Sequence, residues 1–87
     1  MYKVVFSEEG KKDLKKLDKY TQFIILNWIE KHLNNCENPR QFGKALIADK
    51  KGLWRYRIGD YRVLTYIKEN VLIILVVRLG HRRDIYE

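Results

Sequence analysis

A two-residue turn between two strand-like runs restricts the fold of this sequence more than any other feature. The pair Gly59-Asp60 separates residues 53–58 from residues 61–67, and both runs are rich in aromatic and β-branched side chains. A Gly-X pair fits a type II′ hairpin turn, and a loop of two residues fixes the register of the strands that it joins. The sequence therefore predicts a hairpin in which Arg57 lies directly opposite Arg62.

Alternation along the two strands divides the side chains of this hairpin between two faces of a sheet. The face that helices should cover carries Trp54, Tyr56, Ile58, Tyr61, Val63 and Thr65. Arg55, Arg57 and Arg62 share the other face. Like charges directly opposite each other destabilise a sheet by up to ~1 kcal/mol, so folding does not explain the arginine pair. Guanidinium groups match phosphate oxygens, and the arginines predict a phosphodiester ligand; a solvated charged face is the alternative.

The remaining segments predict helices on one side of this hairpin and further strands beside it. Strand patterns cover residues 2–6, 44–47 and 71–79, and helix patterns cover residues 8–17 and 20–33. Residues 1–87 are thus predicted to form one α+β domain. In it, an N-terminal strand and a two-helix hairpin pack on one face of a mainly antiparallel sheet of four to five strands. The other face is open to water or ligand.

Length and residue types exclude several classes of protein. A chain of 87 residues builds one modest core rather than a two-domain enzyme. The longest apolar run, residues 71–77, is far shorter than the ~20 residues of a membrane-spanning helix. No secretory signal is visible, so we expect a cytoplasmic protein with no membrane partner. One cysteine, Cys36, and two histidines give no zinc spacing, and we expect neither a metal nor another cofactor.

Positive charge is concentrated in the second half of the chain. The formal net charge is +7, and residues 50–68 contribute +5 of it, because this stretch contains six lysines and arginines and one aspartate. Lys50 and Lys51 begin this stretch, and Lys44 precedes it. A local excess of this kind predicts an anionic partner such as nucleic acid.

The C-terminal segment adds groups that metal-free cleavage of RNA requires. A two-residue turn at Glu69-Asn70 would place Val77 opposite Arg62 and His81 at the edge of the arginine-bearing face. The reaction needs a base near neutral pH, cations around the phosphate, an acid for the leaving oxygen and a group that holds the splayed base. The candidates, besides the hairpin arginines, are His81, Arg82, Arg83 and Tyr86. A terminal histidine is, however, more often a surface residue without a function.

Two motifs in this order resemble the RelE branch of the RelE/ParE toxin superfamily. They are GLWRYRIGDYRV at residues 52–63 and GHRRDIY at residues 80–86, and the resemblance covers essentially the whole chain. It implies a RelE-like fold and the toxin of a type II toxin-antitoxin module, an endoribonuclease that cleaves mRNA in the ribosomal A site. It also implies that a RelB-like antitoxin neutralises the toxin. Operator DNA would be bound only by the complex of the two.

The resemblance also implies roles for individual residues. The basic strand residues of the family fall on Arg55 and Arg57, its hairpin arginine on Arg62, its C-terminal arginine on Arg82 and its C-terminal tyrosine on Tyr86. Well-known members have lysines in the basic strand, and arginine cannot act as a base near neutral pH. The role of base is therefore assigned to His81, with Tyr86 as a stacking residue or alternative base. The residues assigned to RNA binding are Lys44, Lys50, Lys51 and Arg83, the last of which could replace Arg82.

Three functions are compatible with these features. The first is a ribosome-dependent endoribonuclease that leaves a 2′,3′-cyclic phosphate and uses no metal. The second is a DNA gyrase inhibitor like the ParE branch, which needs no catalytic base; the presence of His81 and Tyr86 argues against it. The third is a non-catalytic protein that binds operator DNA together with its antitoxin, for which salt-sensitive nucleic-acid binding without cleavage would be evidence.

Overall fold

The computed structural model describes residues 1–46 and 52–85, which form two helices and a five-stranded sheet. The elements in chain order are β1 (Lys3–Phe6), α1 (Glu8–Lys15), α2 (Lys19–His32), β2 (Lys44–Ala45), β3 (Trp54–Ile58), β4 (Tyr61–Lys68) and β5 (Ile73–His81). The strand order across the sheet is β1-β5-β4-β3-β2. Strand β1 runs parallel to β5, and the other neighbours are antiparallel. The predicted α+β architecture is confirmed. Neither helix of the described chain is long and apolar enough to span a membrane.

Side-chain caps fix the start of both helices. The hydroxyl of Ser7 accepts a hydrogen bond from the backbone N–H of Gly10 at 3.0 Å and begins α1. Asp18 begins α2, where its carboxylate accepts from the hydroxyl of Thr21 at 2.6 Å and from the backbone N–H of the same residue at 3.2 Å. These two hydrogen bonds, the side-chain one foremost, lower the pKa of Asp18.

The main core lies between the helices and the apolar face of the hairpin. Its wholly buried side chains include Ile25, Leu33, Tyr56, Val63, Ile74 and Val76. The hydroxyl of Tyr56 donates a hydrogen bond to the carbonyl of Pro39, and burial raises the pKa of this tyrosine. This contact fixes the connection between α2 and β2 against the sheet.

The hairpin of β3 and β4 has the predicted register, with Arg57 opposite Arg62. The next pairing differs, because Arg62 lies opposite Gly80, and the predicted pairing of Arg62 with Val77 is wrong. The loop between β4 and β5 contains four residues, 69–72, rather than two, since Lys68 pairs with Ile73. Within that loop Leu72 has a positive φ of 57°.

A β-bulge in β5 changes which side chains share a face. Two consecutive pairs show it, Leu64 with Arg78 and Thr65 with Val76. Val77 is therefore an extra residue, and one extra residue exchanges the two faces over the rest of a strand. Leu79 consequently lies in the helix-side core, and His81 lies opposite Tyr61 rather than on the face of the arginines.

The face away from the helices is partly covered, whereas the sequence predicts it to be open. A second, smaller apolar cluster lies there, formed by Leu46, Leu64 and Ile85 with Leu53 and Val77 packed against it. The backbone N–H groups of Asp84 and Ile85 both donate to the carbonyl of His81, so the chain turns back after β5. A Cβ at Gly80 would lie only 3.2 Å from the Cγ1 of Ile85, and the small residue thus gives the tail room on this face.

Helix α1 continues the edge of the sheet where β1 ends. The last pair of β1 with β5 is Phe6 with Val76. Beyond it, the Asp13 carboxylate accepts a hydrogen bond from the backbone N–H of Leu79 at 3.0 Å and from the Nε of Arg78 at 2.6 Å. Asp13 is buried, and its hydrogen bond and charge raise the pKa of Arg78. A single side chain therefore takes the place of a strand partner at this edge.

Candidate functional site

Four cations of β2, β3 and β4 share one face of the sheet. Arg57 lies directly opposite Arg62, and Lys44 lies directly opposite Arg55. Paired residues of neighbouring strands point to the same side, and so do alternate residues of one strand. The hairpin register thus brings together the cationic face, by which we mean Lys44, Arg55, Arg57 and Arg62.

Exposure differs within the cationic face. Arg57 and Lys44 are exposed, Arg62 is partly buried, and Arg55 is buried with 9% of its surface accessible. Burial, and then the charges of Arg62 and Arg57, lower the pKa of Arg55. The sequence predicts open positions for all three arginines, whereas Arg55, which lies opposite Leu64 of the second apolar cluster, is buried and Arg62 is partly buried. An anion bound at this face would interact favourably with its four positive charges.

The tail leads further cations towards the hairpin turn. The backbone N–H of Arg82 donates to the carbonyl of Asp60 at 2.8 Å, which extends the pairing of β5 as far as the turn. The side chains of Arg82 and Arg83 are both exposed. The Arg82 backbone is therefore held beside the β3–β4 turn, close to the end of the cationic face that carries Arg57 and Arg62.

His81 occupies a different position from the predicted one. Its ring packs edge-on against the ring of Tyr61, with the centroids 5.4 Å apart. Its Nδ1 accepts a hydrogen bond from the backbone N–H of Arg83 at 3.2 Å. This hydrogen bond engages the lone pair of Nδ1. The structure thus places the ring of His81 against Tyr61 rather than beside Arg57 and Arg62.

Three predicted site residues, Lys50, Lys51 and Tyr86, lie outside the described residues. The other predicted residues do not all converge, because β5 turns His81 away from the cationic face. Two aromatic residues border that face without a clear signal in the sequence: Trp28 on α2 and Phe42 before β2. In the sequence, these two aromatic residues cannot be distinguished from residues of the core. Over residues 1–46 and 52–85, no group of three or more His, Cys, Asp and Glu side chains is placed to hold a metal.

Comparison with known proteins relates this site to a family. Residues 4–86 match the family described as the ParE toxin of the type II toxin-antitoxin system parDE. Toxin RelG of Mycobacterium tuberculosis is 29% identical over 85 residues, which are 98% of this chain and 95% of that protein.

Solved structures show the same likeness. The toxin-antitoxin complex RelBE2 of M. tuberculosis contains a chain with 27% identity and a TM-score of 0.85, with 93% of this chain and 91% of that chain covered. The archaeal RelE-RelB complex of Pyrococcus horikoshii contains one with 25% identity and a TM-score of 0.68, covering 93% and 94%. The protein therefore belongs to the ParE toxin family and is a RelE-like toxin of a type II toxin-antitoxin system.

Proposed function

We propose that this toxin is a metal-independent endoribonuclease that cleaves mRNA in the ribosomal A site and so inhibits translation. The observation that carries the proposal is the cationic face, where Arg57 and Arg62 stand directly opposite each other. Like charges directly opposite each other on a sheet are in general unfavourable, and two neighbouring guanidinium groups suit a phosphate group. A toxin that acts only through protein contacts would not require this pairing.

The proposed chemistry is attack of a 2′-hydroxyl oxygen on the adjacent phosphorus. A bond forms between the 2′-oxygen and phosphorus, and the bond from phosphorus to the 5′-oxygen breaks, which leaves a 2′,3′-cyclic phosphate. The 2′-hydroxyl loses its proton to a base, and the leaving 5′-oxygen gains one from an acid. Arg57 and Arg62 stabilise the negative charge that develops on the phosphate oxygens. Their permanent charge excludes them as the base and suits them to this role.

The proposed partners follow from the relatives. Two of the similar structures are complexes of a RelE-type toxin with its antitoxin, which supports a RelB-like antitoxin for this chain. The ribosome with its mRNA is the proposed target. Operator DNA is a proposed partner of the toxin-antitoxin complex only, and the proposed location is the cytoplasm.

A cleavage assay tests the proposed function. The protein is incubated with an mRNA and a metal chelator, with and without programmed 70S ribosomes, and breaks are mapped by primer extension. We expect breaks at A-site codons only when ribosomes are present, with cyclic phosphate at the new 3′ ends. Folded protein that produces no breaks in either reaction would overturn the proposal. Inhibition of gyrase supercoiling by the same preparation would then support the ParE-like alternative, which the family match makes worth testing.

His81→Ala is expected to slow cleavage by less than about tenfold. General acid-base catalysis contributes about 100- to 10,000-fold, and a ring that packs on Tyr61, away from the face that carries Arg57 and Arg62, is not placed to supply it. Single-turnover cleavage on programmed ribosomes measures the effect. Tyr86→Phe and Tyr86→Ala, assayed in parallel, separate proton transfer from stacking, because only the alanine variant removes the ring. A loss of 100-fold or more in His81→Ala would return the role of base to His81.

A further inference from the structure

A small cleft lies at the edge of β3, beside the cationic face. It has a volume of about 230 Å³ and is lined by Trp28, Phe42, Gly43, Lys44, Arg55 and Arg57. One wall is aromatic, and the other is formed by three members of the cationic face. Among the described residues, β2 pairs with residues 54 and 55 of β3, so β2 does not cover residues 56–58 of that strand. The cleft is therefore continuous with the site proposed to bind phosphate.

The aromatic wall is held in a fixed position. The rings of Trp28 and Phe42 meet edge to face with centroids 5.7 Å apart, and His32 packs against both. The carbonyl of Phe42 accepts a hydrogen bond from the Nε1 of Trp54 at 2.7 Å. Gly43 follows with a positive φ of 86°, and a Cβ there would overlap the carbonyl of Arg55. These contacts place the ring of Phe42 without further rearrangement.

The combination of walls specifies the chemistry of a ligand. Flat, partly exposed aromatic rings provide a surface on which a nucleobase stacks, and the neighbouring cations suit its phosphate. Pockets that enclose a whole drug-sized ligand measure about 300–1,000 Å³, so a cleft of this size takes a single ring system. An apolar protein segment would leave the charges of Lys44 and Arg57 without a complementary group.

We infer that this cleft is a base-binding subsite, which holds one nucleobase of the mRNA on the Phe42 and Trp28 rings while its phosphate lies on the cationic face. The inference rests on the proposed function and extends it, because it makes Phe42 a positioning residue for a nucleotide next to the scissile one. The subsite would favour bases by how well they stack rather than by a hydrogen-bond code.

Abasic substitution tests the subsite. The probe is a set of 70S ribosomes programmed with mRNA that carries a 2′-methoxy group at the scissile nucleotide, which prevents cleavage. Each mRNA also carries one abasic residue. This residue is placed in turn at each nucleotide of the A-site codon and at the nucleotide on either side of that codon. We expect the affinity of the wild-type toxin to fall roughly 5- to 150-fold at one position, the range for loss of one stacked base. The affinity of Phe42→Leu should be the same for the mRNA with this abasic residue as for the intact mRNA. Phe42→Tyr keeps the ring and should behave as wild type, and Phe23→Leu, at an exposed position on α2, is the control.

The outcomes separate the subsite from the function. If each abasic residue lowers the affinity of the wild-type toxin and of Phe42→Leu by the same factor, the subsite is overturned and the proposed endoribonuclease function is unaffected. No binding of wild type to any programmed ribosome would overturn the proposed function. If Phe42→Leu binds the antitoxin more weakly than wild type but binds the programmed ribosomes equally well, the cleft is assigned to a protein partner instead.

A crosslinking experiment requires no variant and covers the case in which Phe42→Leu does not fold. An mRNA with 5-iodouridine at the position identified is irradiated on the ribosome with wild-type toxin. We expect the adduct on the tryptic peptide of residues 41–44 or of residues 20–31, which contain Phe42 and Trp28. Adducts confined to other toxin peptides would overturn the subsite.

Discussion

Arg57→Gln is expected to slow mRNA cleavage about 100-fold or more while leaving the protein as stable as wild type, or more stable by up to ~1 kcal/mol. Arg57 is exposed, lies opposite Arg62, and contributes to the field that lowers the pKa of Arg55. Its removal therefore takes away a charge that stabilises the transition state and a charge that repels its neighbours. Function and stability should move in opposite directions.

Single-turnover cleavage on programmed ribosomes and thermal unfolding measure the two effects. The matched control is Lys31→Gln, which removes one positive charge from an exposed position on α2, on the helix side of the sheet. The control separates the local effect from the fall in net charge, which weakens any nucleic-acid binding. A wild-type cleavage rate in Arg57→Gln would contradict the phosphate site. A clear loss of stability would show that the arginine pair serves the fold.

The hairpin could be predicted from the sequence because its turn contains only two residues. Gly59-Asp60 allows one register, and alternation then determines the face of every side chain in β3 and β4. The pairing of Arg57 with Arg62 follows directly and is confirmed. This part of the cationic face could be predicted because Arg57 and Arg62 are only five positions apart in the chain.

The register of β5 could not be predicted because the strand is apolar on both faces. Residues 71–77 show no alternation, so neither the four-residue loop nor the extra residue at Val77 leaves a signal. Only the structure shows that Val76 and Leu79 are both buried in the same core, three positions apart. The predicted place of His81 depended on an unbroken alternation, and the bulge removes that basis. The buried tail residue Ile85 was missed because nothing in a short C-terminal segment indicates what it packs on.

Asp13→Ala is expected to lower the free energy of unfolding by about 2–4 kcal/mol, which corresponds to a fall in Tm of roughly 10–20 °C for a domain of this size. The sequence shows Asp13 only as an acid among lysines of an amphipathic helix. In the structure it is buried, and its carboxylate is the acceptor for the backbone N–H of Leu79 at the edge of β5. Alanine leaves that buried N–H without its acceptor. The ion pair with Arg78 adds less, because the arginine side chain is 49% exposed.

Asp13→Asn separates the two contributions. An amide oxygen can still accept from the N–H of Leu79 but carries no charge for Arg78, so we expect the asparagine variant to lose about 1 kcal/mol, half of the alanine effect or less. Thermal and urea unfolding of both variants measure the difference, with Glu37→Ala as a control that removes an exposed carboxylate from the loop. Equal losses in the two variants would show that the charge of Asp13 matters more than its hydrogen bond to β5. We expect both variants to cleave mRNA more slowly as well as to be less stable. Strand β5 leads directly into Arg82, whose backbone N–H is hydrogen-bonded at the hairpin turn. A lost hydrogen bond at Leu79 should therefore also disturb the position of Arg82.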